Sequence, residues 1–151
     1  MSTMKPRLIA LLLATALIAG ACGAGDDDAT SAEAEATEAE ATAGLRQVSA
    51  TESAELIANG ADDLIILDIR TPDEFNEGHL EGAIIIDFYD ADFVDQLAAL
   101  DPNAEYVLYC NSGNRSGATM PVLEELGFTN VAEMGGGIQA WYGAALPVVT
   151  G

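Results

Sequence analysis

The segment YVLYCNSGNRS, residues 106–116, changes from apolar residues to small and polar ones at a single cysteine. Its first four residues form an apolar run that is typical of a strand buried on both faces of a sheet. The residues that follow Ser116 predict a helix. This order of strand, loop and helix places Cys110 at the carboxyl end of a buried strand, which is where open α/β sheets gather their ligands.

The loop between this strand and this helix has the composition of an anion-binding site. Its glycine and asparagines tolerate unusual backbone angles, so successive N–H groups can converge on one point. Arg115 adds a planar, permanently charged guanidinium, and the following helix adds the positive end of its dipole. These features favour the thiolate of Cys110, which is the nucleophilic form of cysteine. The predicted binding loop consists of Asn111, Ser112, Gly113, Asn114, Arg115 and Ser116.

The rest of residues 45–151 alternates between predicted strands and helices. Ser49 and Glu52 fit a capping box at the start of a first helix, which we expect to present Leu56 and Ile57 inward. Such alternation implies a three-layer α/β fold, with a central parallel sheet and helices on both faces. The other predicted strands are LIILDI (64–69), AIII (83–86) and FTNVAEM (128–134), and the other predicted helices span residues 91–100, 117–127 and 138–145.

Four separated motifs resemble those of single-domain rhodaneses: LDIRTPDEFNEGHLEGAI, YCNSGNRS, LGFTNV and MGGGIQAW. They occur in that order between residues 67 and 141. The resemblance implies a rhodanese-like domain over residues 45–151, in which the loop of residues 110–115 surrounds a persulfide on a catalytic Cys110. It also implies a sulfurtransferase without a cofactor. The sulfane sulfur of a small anionic donor such as thiosulfate would pass through Cys110 to cyanide, a thiol or a protein acceptor.

Three other interpretations of the cysteine remain open. Phosphatases and arsenate reductases of the same fold use Cys-x5-Arg, a loop wide enough for a tetrahedral phosphate. Here four residues separate Cys110 from Arg115, and the narrower ring suits a single sulfur atom. A lone cysteine in an apolar region can also be an inert core residue. The main alternative to an efficient enzyme is a membrane-tethered rhodanese fold that serves as a binding or sulfur-carrier module with little turnover.

Asp68 and Arg70 end the predicted strand LIILDI and are candidates for supporting roles near the loop. We expect Asp68 to accept backbone hydrogen bonds. Arg70 is expected to pair with Glu74 or Glu77, and direct contact between Arg70 and the substrate is the alternative.

His79 and Trp141 are two further structural candidates. His79, the only histidine, is expected to be a buried hydrogen-bonding residue of the turn EGHLEG rather than a catalytic one. Trp141 is expected either to pack in the core or to line the mouth of the pocket. One histidine and one free cysteine cannot form a conventional zinc site. The aspartates of residues 87–95 lack the spacing and the central glycine of an EF-hand, so no metal site is predicted.

The amino terminus has the layout of an export signal. Lys5 and Arg7 precede the apolar stretch LIALLLATALIA, whose 12 residues fall short of the roughly 20 that span a bilayer. Small residues before Cys22 resemble the bacterial lipobox, although Ala19 stands where that motif usually has leucine. The resemblance implies that residues 1–21 are a signal peptide and that a lipid on Cys22 anchors the protein to the membrane. An ordinary secretory signal, leaving a secreted or periplasmic protein, is the alternative.

Residues 22–44 are predicted to be a disordered, acidic tether between the lipidated cysteine and the domain. After the cysteine they contain seven carboxylates, no aromatic residue and no Val, Ile or Leu, so they cannot bury a core. A helical fragment is the alternative, because Ala and Glu favour helices, but no apolar stripe would dock it. We therefore expect a membrane lipoprotein whose domain faces outside the cytoplasm.

The charge of residues 45–151 excludes one class of partner. Three arginines and eighteen carboxylates give these residues a formal charge of −15, which excludes nucleic-acid binding. The same charge repels a dianionic sulfur donor at long range. Pro121 raises a separate expectation, because a proline inside the helix after the loop removes a backbone donor and either kinks the helix or marks a late start.

Overall fold

The computed structural model describes residues 44–151. The predicted signal peptide, the lipidation site at Cys22 and the acidic tether up to residue 43 lie outside the described residues. Within the described part of the chain, no helix is both long and apolar enough to cross a membrane. The elements in chain order are β1 (Leu45–Val48), α1 (Ala50–Asn59), β2 (Ile65–Asp68), α2 (Pro72–Glu77), β3 (Ile84–Ile85), α3 (Phe93–Ala98), β4 (Glu105–Tyr109), α4 (Asn114–Glu125), β5 (Asn130–Met134) and α5 (Gly137–Gly143).

The strands of residues 44–151 form one sheet in the order β1-β5-β4-β2-β3, and every pair of neighbours is parallel. Strand β4 is central, with β5 on one side and β2 on the other. Its register aligns Tyr109, the residue before the cysteine, with Asp68 at the end of β2. Cys110 therefore leaves the sheet at its middle, and the predicted central parallel sheet is confirmed.

Side chains of β4 alternate between the two faces of the sheet. Tyr106, Leu108 and Cys110 belong to one core, whereas Tyr109 belongs to the other. Helices α3 and α4 cover the first core and helices α1 and α5 cover the second, so the predicted helices on both faces are confirmed. The alternation turns Cys110 toward the face that α4 covers. The apolar helix residues of these cores are Phe93 and Leu97 in α3, Leu123 in α4, Ala50 in α1, and Ile138 and Trp141 in α5.

The sequence prediction lacks two elements, β1 and α2. In β1 the polar residues Arg46 and Gln47 interrupt the apolar ones. The apolar run that predicts a buried strand is therefore missing from this edge strand. Helix α2 lies between the predicted strands LIILDI and AIII, where no helix is predicted. Thr71 is its N-cap, Pro72 opens it, and Thr71 and Glu74 form a capping box. These are standard signals of a helix start, so α2 could have been predicted from the sequence.

Helix α1 begins as predicted but buries different residues. Ser49 Oγ accepts a hydrogen bond from Glu52 N at 3.2 Å, and Glu52 Oε2 accepts one from Ser49 N at 2.7 Å, which confirms the capping box. Ile57 packs against the core, and Ser53 is fully buried. Leu56 is half-buried, as Ile57 is, and its inward position stays a prediction. The buried positions of the helix are therefore small residues, Ala50 and Ser53.

Helix α4 begins earlier than the sequence predicts. It starts at Asn114, inside the loop, because Gly113 adopts a φ of 88° and turns the chain directly into the helix. The helix then continues through Pro121, and its last turn retains the bond from Leu126 N to Val122 O at 2.9 Å. The proline therefore does not mark a late start, and the amino terminus of α4 lies directly beside the cysteine.

Asp68 and Arg70 form a buried ion pair at the end of β2. Arg70 Nη2 lies 2.6 Å from Asp68 Oδ2, with side chains 4% and 0% exposed. The guanidinium also donates to the carbonyl oxygens of Glu74 at 3.0 Å and Gly78 at 2.8 Å. Arg70 N donates to Asp68 Oδ1 at 2.9 Å, which confirms the backbone bond expected for Asp68. The expected pairing of Arg70 with the carboxylate of Glu74 or Glu77 is wrong, because the nearer, fully buried Asp68 takes this cation.

Replacing Asp68 by asparagine would leave a buried guanidinium without its carboxylate. We expect Asp68→Asn to lower the free energy of unfolding by about 3–5 kcal/mol, measured by equilibrium unfolding in urea. Asp62→Asn removes an exposed carboxylate from the loop before β2 and should change that free energy by less than about 0.5 kcal/mol. A loss for Asp68→Asn no larger than this control would show that the pair does not hold the fold.

Candidate active site

Cys110 lies at the floor of the loop that joins β4 to α4. The residue is 1% exposed, and its Sγ accepts a hydrogen bond from Gly113 N at 3.2 Å. Ser116 Oγ lies 3.4 Å from the same sulfur. Ser112 and Asn114 are exposed at the rim of the loop, where Asn114 Nδ2 donates to Ser112 Oγ at 3.3 Å. The loop therefore surrounds the sulfur, and the N-cap and first turn of α4 supply hydrogen-bond donors to it.

These donors control the ionisation of the thiol. Burial by itself would raise the pKa of Cys110, because a thiolate is less stable away from water. Hydrogen bonds from the Ser116 hydroxyl, and from the backbone N–H groups of Ser116, Ser112 and Gly113, outweigh burial and lower the pKa below its ordinary value. The environment therefore favours the thiolate, which is the reactive form of the side chain.

The amino terminus of α5 holds the carbonyl side of the loop. Ile138 N donates to the carbonyl oxygen of Cys110 at 2.9 Å, and Gln139 N donates to that of Asn111 at 3.1 Å. Gly137 makes this approach possible, because its φ is 57° and a Cβ there would collide with the carbonyl oxygen of Cys110. Because α5 binds the carbonyl oxygens of Cys110 and Asn111, these groups point away from the sulfur and the N–H groups of the loop point toward it.

Arg115 forms a two-point ion pair with Glu74 of α2. Its Nη1 and Nη2 donate to Oε2 and Oε1 at 2.9 and 2.7 Å, and the two side chains are 15% and 29% exposed. The hydrogen bonds from Arg115, with smaller contributions from Thr71, lower the pKa of Glu74 to about 2. Tyr89 lies beside the pair, with its ring centroid 5.6 Å from the guanidinium carbon. The guanidinium that was expected to bind an oxyanion is thus already paired with a carboxylate.

Glu74 serves two purposes, and the sequence analysis assigns it neither. Its carboxylate accepts hydrogen bonds from Thr71 N and Thr71 Oγ1, both at 3.0 Å, at the start of α2. The same carboxylate binds Arg115, which lies 41 residues further along the chain. The capping box could have revealed the first role. No local sequence signal reports the second, because it depends on how α2 sits against the loop.

Glu133 of β5 is another residue of the site that the sequence analysis misses. It is 1% exposed, its Oε1 lies 2.6 Å from Ser116 Oγ, and its Oε2 accepts a hydrogen bond from Gln47 Nε2 at 2.8 Å. Because Ser116 Oγ also reaches Cys110 Sγ, the carboxylate is one hydroxyl group away from the candidate nucleophile. A carboxylate inside the apolar strand FTNVAEM is the signal that could have identified it, since buried carboxylates require partners.

His79 and Trp141 lie outside the loop. His79 is half-buried rather than buried, because its ring stacks on Phe75 at 3.7 Å near the surface. Its Nδ1 lies 3.0 Å from the carbonyl oxygen of Phe75, as expected for a hydrogen-bonded turn residue. Trp141 is 5% exposed and its Nε1 donates to Pro147 O at 2.8 Å, within the core covered by α1 and α5. Of its two expected positions, the core is the one observed.

Comparison with known families agrees with this architecture. A family model described as a rhodanese-like domain matches residues 49–144, which include the loop, both ion pairs and Glu133. The chain belongs to the rhodanese-like domain family. Its match extends from the N-cap of α1 to the end of α5, so the described fold and the family assignment refer to the same part of the chain.

The relatives of this rhodanese-like domain include named sulfurtransferases. The thiosulfate sulfurtransferase PspE of Escherichia coli is 34% identical over 70 residues, which is 46% of this chain and 67% of the relative. The thiosulfate sulfurtransferase GlpE of Pseudomonas paraeruginosa is 31% identical over 96 residues, which is 64% of this chain and 83% of the relative. A rhodanese-related protein from Thermoplasma volcanium is 30% identical with a TM-score of 0.61, covering 70% of this chain and 98% of that one. These relatives support a sulfurtransferase of the rhodanese family.

The ion pair between Glu74 and Arg115 should stabilise this rhodanese-like domain in a pH-dependent way. The pKa of Glu74, about 2 in the folded protein, lies below its ordinary value of 4.5. The stabilisation is therefore complete above about pH 4.5 and is lost as the pH falls toward 2. We expect Glu74→Gln to lower the free energy of unfolding by about 1–2 kcal/mol at pH 7, because the pair is partly exposed to solvent.

Urea unfolding between pH 7 and pH 3 measures this difference, which should shrink as the pH falls. The matched control is Glu77→Gln, which removes an exposed carboxylate from the same helix. A Glu74→Gln effect that stayed constant across this pH range would mean that the charge of Glu74 is not its source.

Proposed function

We propose that this rhodanese-like domain is a sulfurtransferase that carries a sulfane sulfur as a persulfide on Cys110. The observation that supports this proposal best is the convergence of the Ser116 hydroxyl and several backbone N–H groups on a thiol of lowered pKa. Such donors suit the thiolate before the reaction and the negatively charged outer sulfur after it. The proposed substrates are a small anionic donor such as thiosulfate and a thiophilic acceptor.

In the first half-reaction, the Cys110 thiolate attacks the sulfane sulfur of the donor. A bond forms between Sγ and that sulfur, and the bond between that sulfur and the sulfite group breaks with its electron pair. A thiolate and a thiosulfate dianion thereby become a persulfide anion and sulfite, and the total charge is unchanged. The loop amides would stabilise the charge as it moves from Sγ to the outer sulfur.

In the second half-reaction, an acceptor attacks the outer sulfur of the persulfide. Cyanide would give thiocyanate, and a thiolate acceptor would give a new persulfide. In both cases the bond between the two sulfur atoms breaks and its electron pair returns to Cys110 as a thiolate. The hydrogen bonds that lower the pKa of Cys110 also make it a better leaving group in this step.

We also propose that the domain acts outside the cytoplasm at a membrane surface. The support is the amino-terminal sequence alone: a basic start, an apolar stretch, small residues before Cys22, and then an acidic segment. Lipidation of Cys22 would anchor the protein, and an ordinary secretory cleavage would instead release it. Either location would expose the persulfide to oxidants that the cytosol keeps low.

A sulfur-carrier module with little turnover on small donors is the second candidate function. Two observations favour it: residues 45–151 carry a formal charge of −15, and the carboxylate of Glu74 neutralises Arg115. Both weaken the capture of a free dianion. A carrier would still form a persulfide but would deliver it only to a specific protein, whereas an inert binding module would form none.

Persulfide formation can be tested directly by intact-protein mass spectrometry. We expect the full-length chain with Cys22→Ser, in which Cys110 is the one remaining cysteine, to gain the mass of one sulfur atom after incubation with thiosulfate. The same chain with Cys110→Ser should gain none. Failure to form the adduct with several donors, at low and high salt, would contradict the proposed function and favour the inert binding module.

The acidity of the domain should affect the capture of thiosulfate. We expect a high KM for thiosulfate that falls when sodium chloride is added, because salt screens the long-range repulsion between the domain and a dianion. Steady-state assays with cyanide as acceptor, from about 10 mM to about 500 mM salt, measure the effect. An uncharged sulfane donor serves as the control and should show little change. A low thiosulfate KM that is independent of ionic strength would contradict this prediction.

A further inference from the structure

Glu133 is a buried carboxylate for which the proposed sulfur transfer has no use. It lies on the central part of the sheet, in β5, and only 1% of its surface is exposed. Among residues 44–151, its side-chain hydrogen bonds are to Ser116 Oγ at 2.6 Å and to Gln47 Nε2 at 2.8 Å. Both partners are neutral groups, a hydroxyl and an amide.

The Ser116 hydroxyl joins this carboxylate to the nucleophile. Its oxygen lies 2.6 Å from Glu133 Oε1, 3.4 Å from Cys110 Sγ and 3.3 Å from the carbonyl oxygen of Gly113. A hydroxyl group has one proton to donate. If it donates to an ionised Glu133, it cannot donate to the sulfur. If Glu133 holds a proton and donates it to Ser116, the hydroxyl is free to donate to a thiolate.

We propose that Glu133 is the internal base for Cys110 and that Ser116 relays the proton between them. The S–H bond of the thiol breaks as its proton binds Ser116 Oγ, and the original proton of Ser116 moves to Glu133 Oε1. The products are a thiolate, a restored hydroxyl and a neutral carboxylic acid, so protons and charge balance without an external base. The inference rests on the proposed role of Cys110 as the reactive thiol. Glu133 acts through Ser116 and is therefore a positioning residue.

The relay moves a negative charge from Glu133 to Cys110, where more hydrogen-bond donors stabilise it. At Glu133 the charge is held by two neutral donors, whereas at Cys110 the backbone N–H groups of the loop and the Ser116 hydroxyl converge on it. The only described cation in the loop, Arg115, is bound by Glu74 of α2 and does not contact Glu133. Across the sheet, Glu133 faces Gln47 in β1 and Leu108 in β4. The shared proton therefore belongs to the pair of Cys110 and Glu133.

A pair of acids that shares one proton titrates in two steps, and this gives the test. In the full-length chain with Cys22→Ser, the rate of alkylation of Cys110 by iodoacetamide should rise in two steps with pH, separated by a plateau near neutrality. On the plateau the pair holds one proton, and a fixed share of the protein carries the thiolate. Rapid-quench mass spectrometry between pH 4 and pH 10 gives the rate constants.

Glu133→Gln should convert the profile to a single step. The amide of Gln47 donates to the position of Oε2, so it selects the orientation in which the new side chain accepts there and donates toward Ser116. The substituted residue then mimics the neutral acid but cannot accept a proton. Ser116→Ala should also give a single step, at a higher pH than Glu133→Gln. The state with a thiolate and a neutral Glu133 is stabilised by the hydroxyl that bonds both groups, so without this hydroxyl that state is no longer populated near neutrality.

Thr119→Ala is the matched control for the loss of a buried hydroxyl in α4. Thr119 is 1% exposed and its Oγ1 donates to the Arg115 carbonyl oxygen at 2.9 Å, so the variant removes a similar group and should keep both steps. A single step in the parent chain, or two steps that persist in Ser116→Ala, would overturn the relay. If Glu133→Gln does not fold, the comparison of the parent, Ser116→Ala and Thr119→Ala still decides the question.

Alkylation separates this inference from the proposed function. Iodoacetamide reports only the ionisation of Cys110 and needs neither a sulfur donor nor an acceptor. A two-step profile without a persulfide adduct would support the relay and contradict the sulfurtransferase. A persulfide adduct with a single-step profile would support the sulfurtransferase and contradict the relay.

Discussion

The candidate site depends on the hydrogen bonds between the first turn of α5 and the carbonyl groups of Cys110 and Asn111. A loop can direct several N–H groups at one sulfur only if its carbonyl groups are bound elsewhere. The amino terminus of α5 supplies the required donors, and Gly137 allows the close approach. The enclosure of the sulfur and the lowered pKa of the thiol depend on this packing contact between α5 and the loop, and the early start of α4 depends on the backbone of Gly113.

Two of the three arginines of this acidic domain are held near the site by ion pairs with carboxylates. Arg70 is bound by Asp68 beneath the site, and Arg115 is bound by Glu74 at its rim. Neither guanidinium is therefore an open anion receptor, and the Ser116 hydroxyl and the backbone N–H groups of the loop supply the attraction for a negatively charged sulfur. This arrangement suits an activated thiol better than it suits the capture of a free dianion, which is why sulfur transfer and sulfur carriage are the two functions that the geometry favours.

The sequence predicts the parts of this molecule that local chemistry determines. The apolar run of β4, the small polar loop and the capping box of α1 are sufficient for the central strand, the position of Cys110 and the fold class. The partner of Arg115 could not be predicted, because Glu74 is brought to it by packing and not by spacing. Periodicity identifies the inward face of α1, but it does not show that a small polar residue, Ser53, is fully buried there.

The same scarcity of cations bears on how the folded domain resists proteases. Proteases that cut after lysine or arginine have three such sites in residues 45–151, at Arg46, Arg70 and Arg115. Two of these side chains are held in ion pairs, and Arg70 is 3% exposed, so neither can enter a protease cleft while the domain is folded. Cleavage there must wait for local or global opening of the structure. The charge composition that repels small anions therefore also limits digestion by this class of protease.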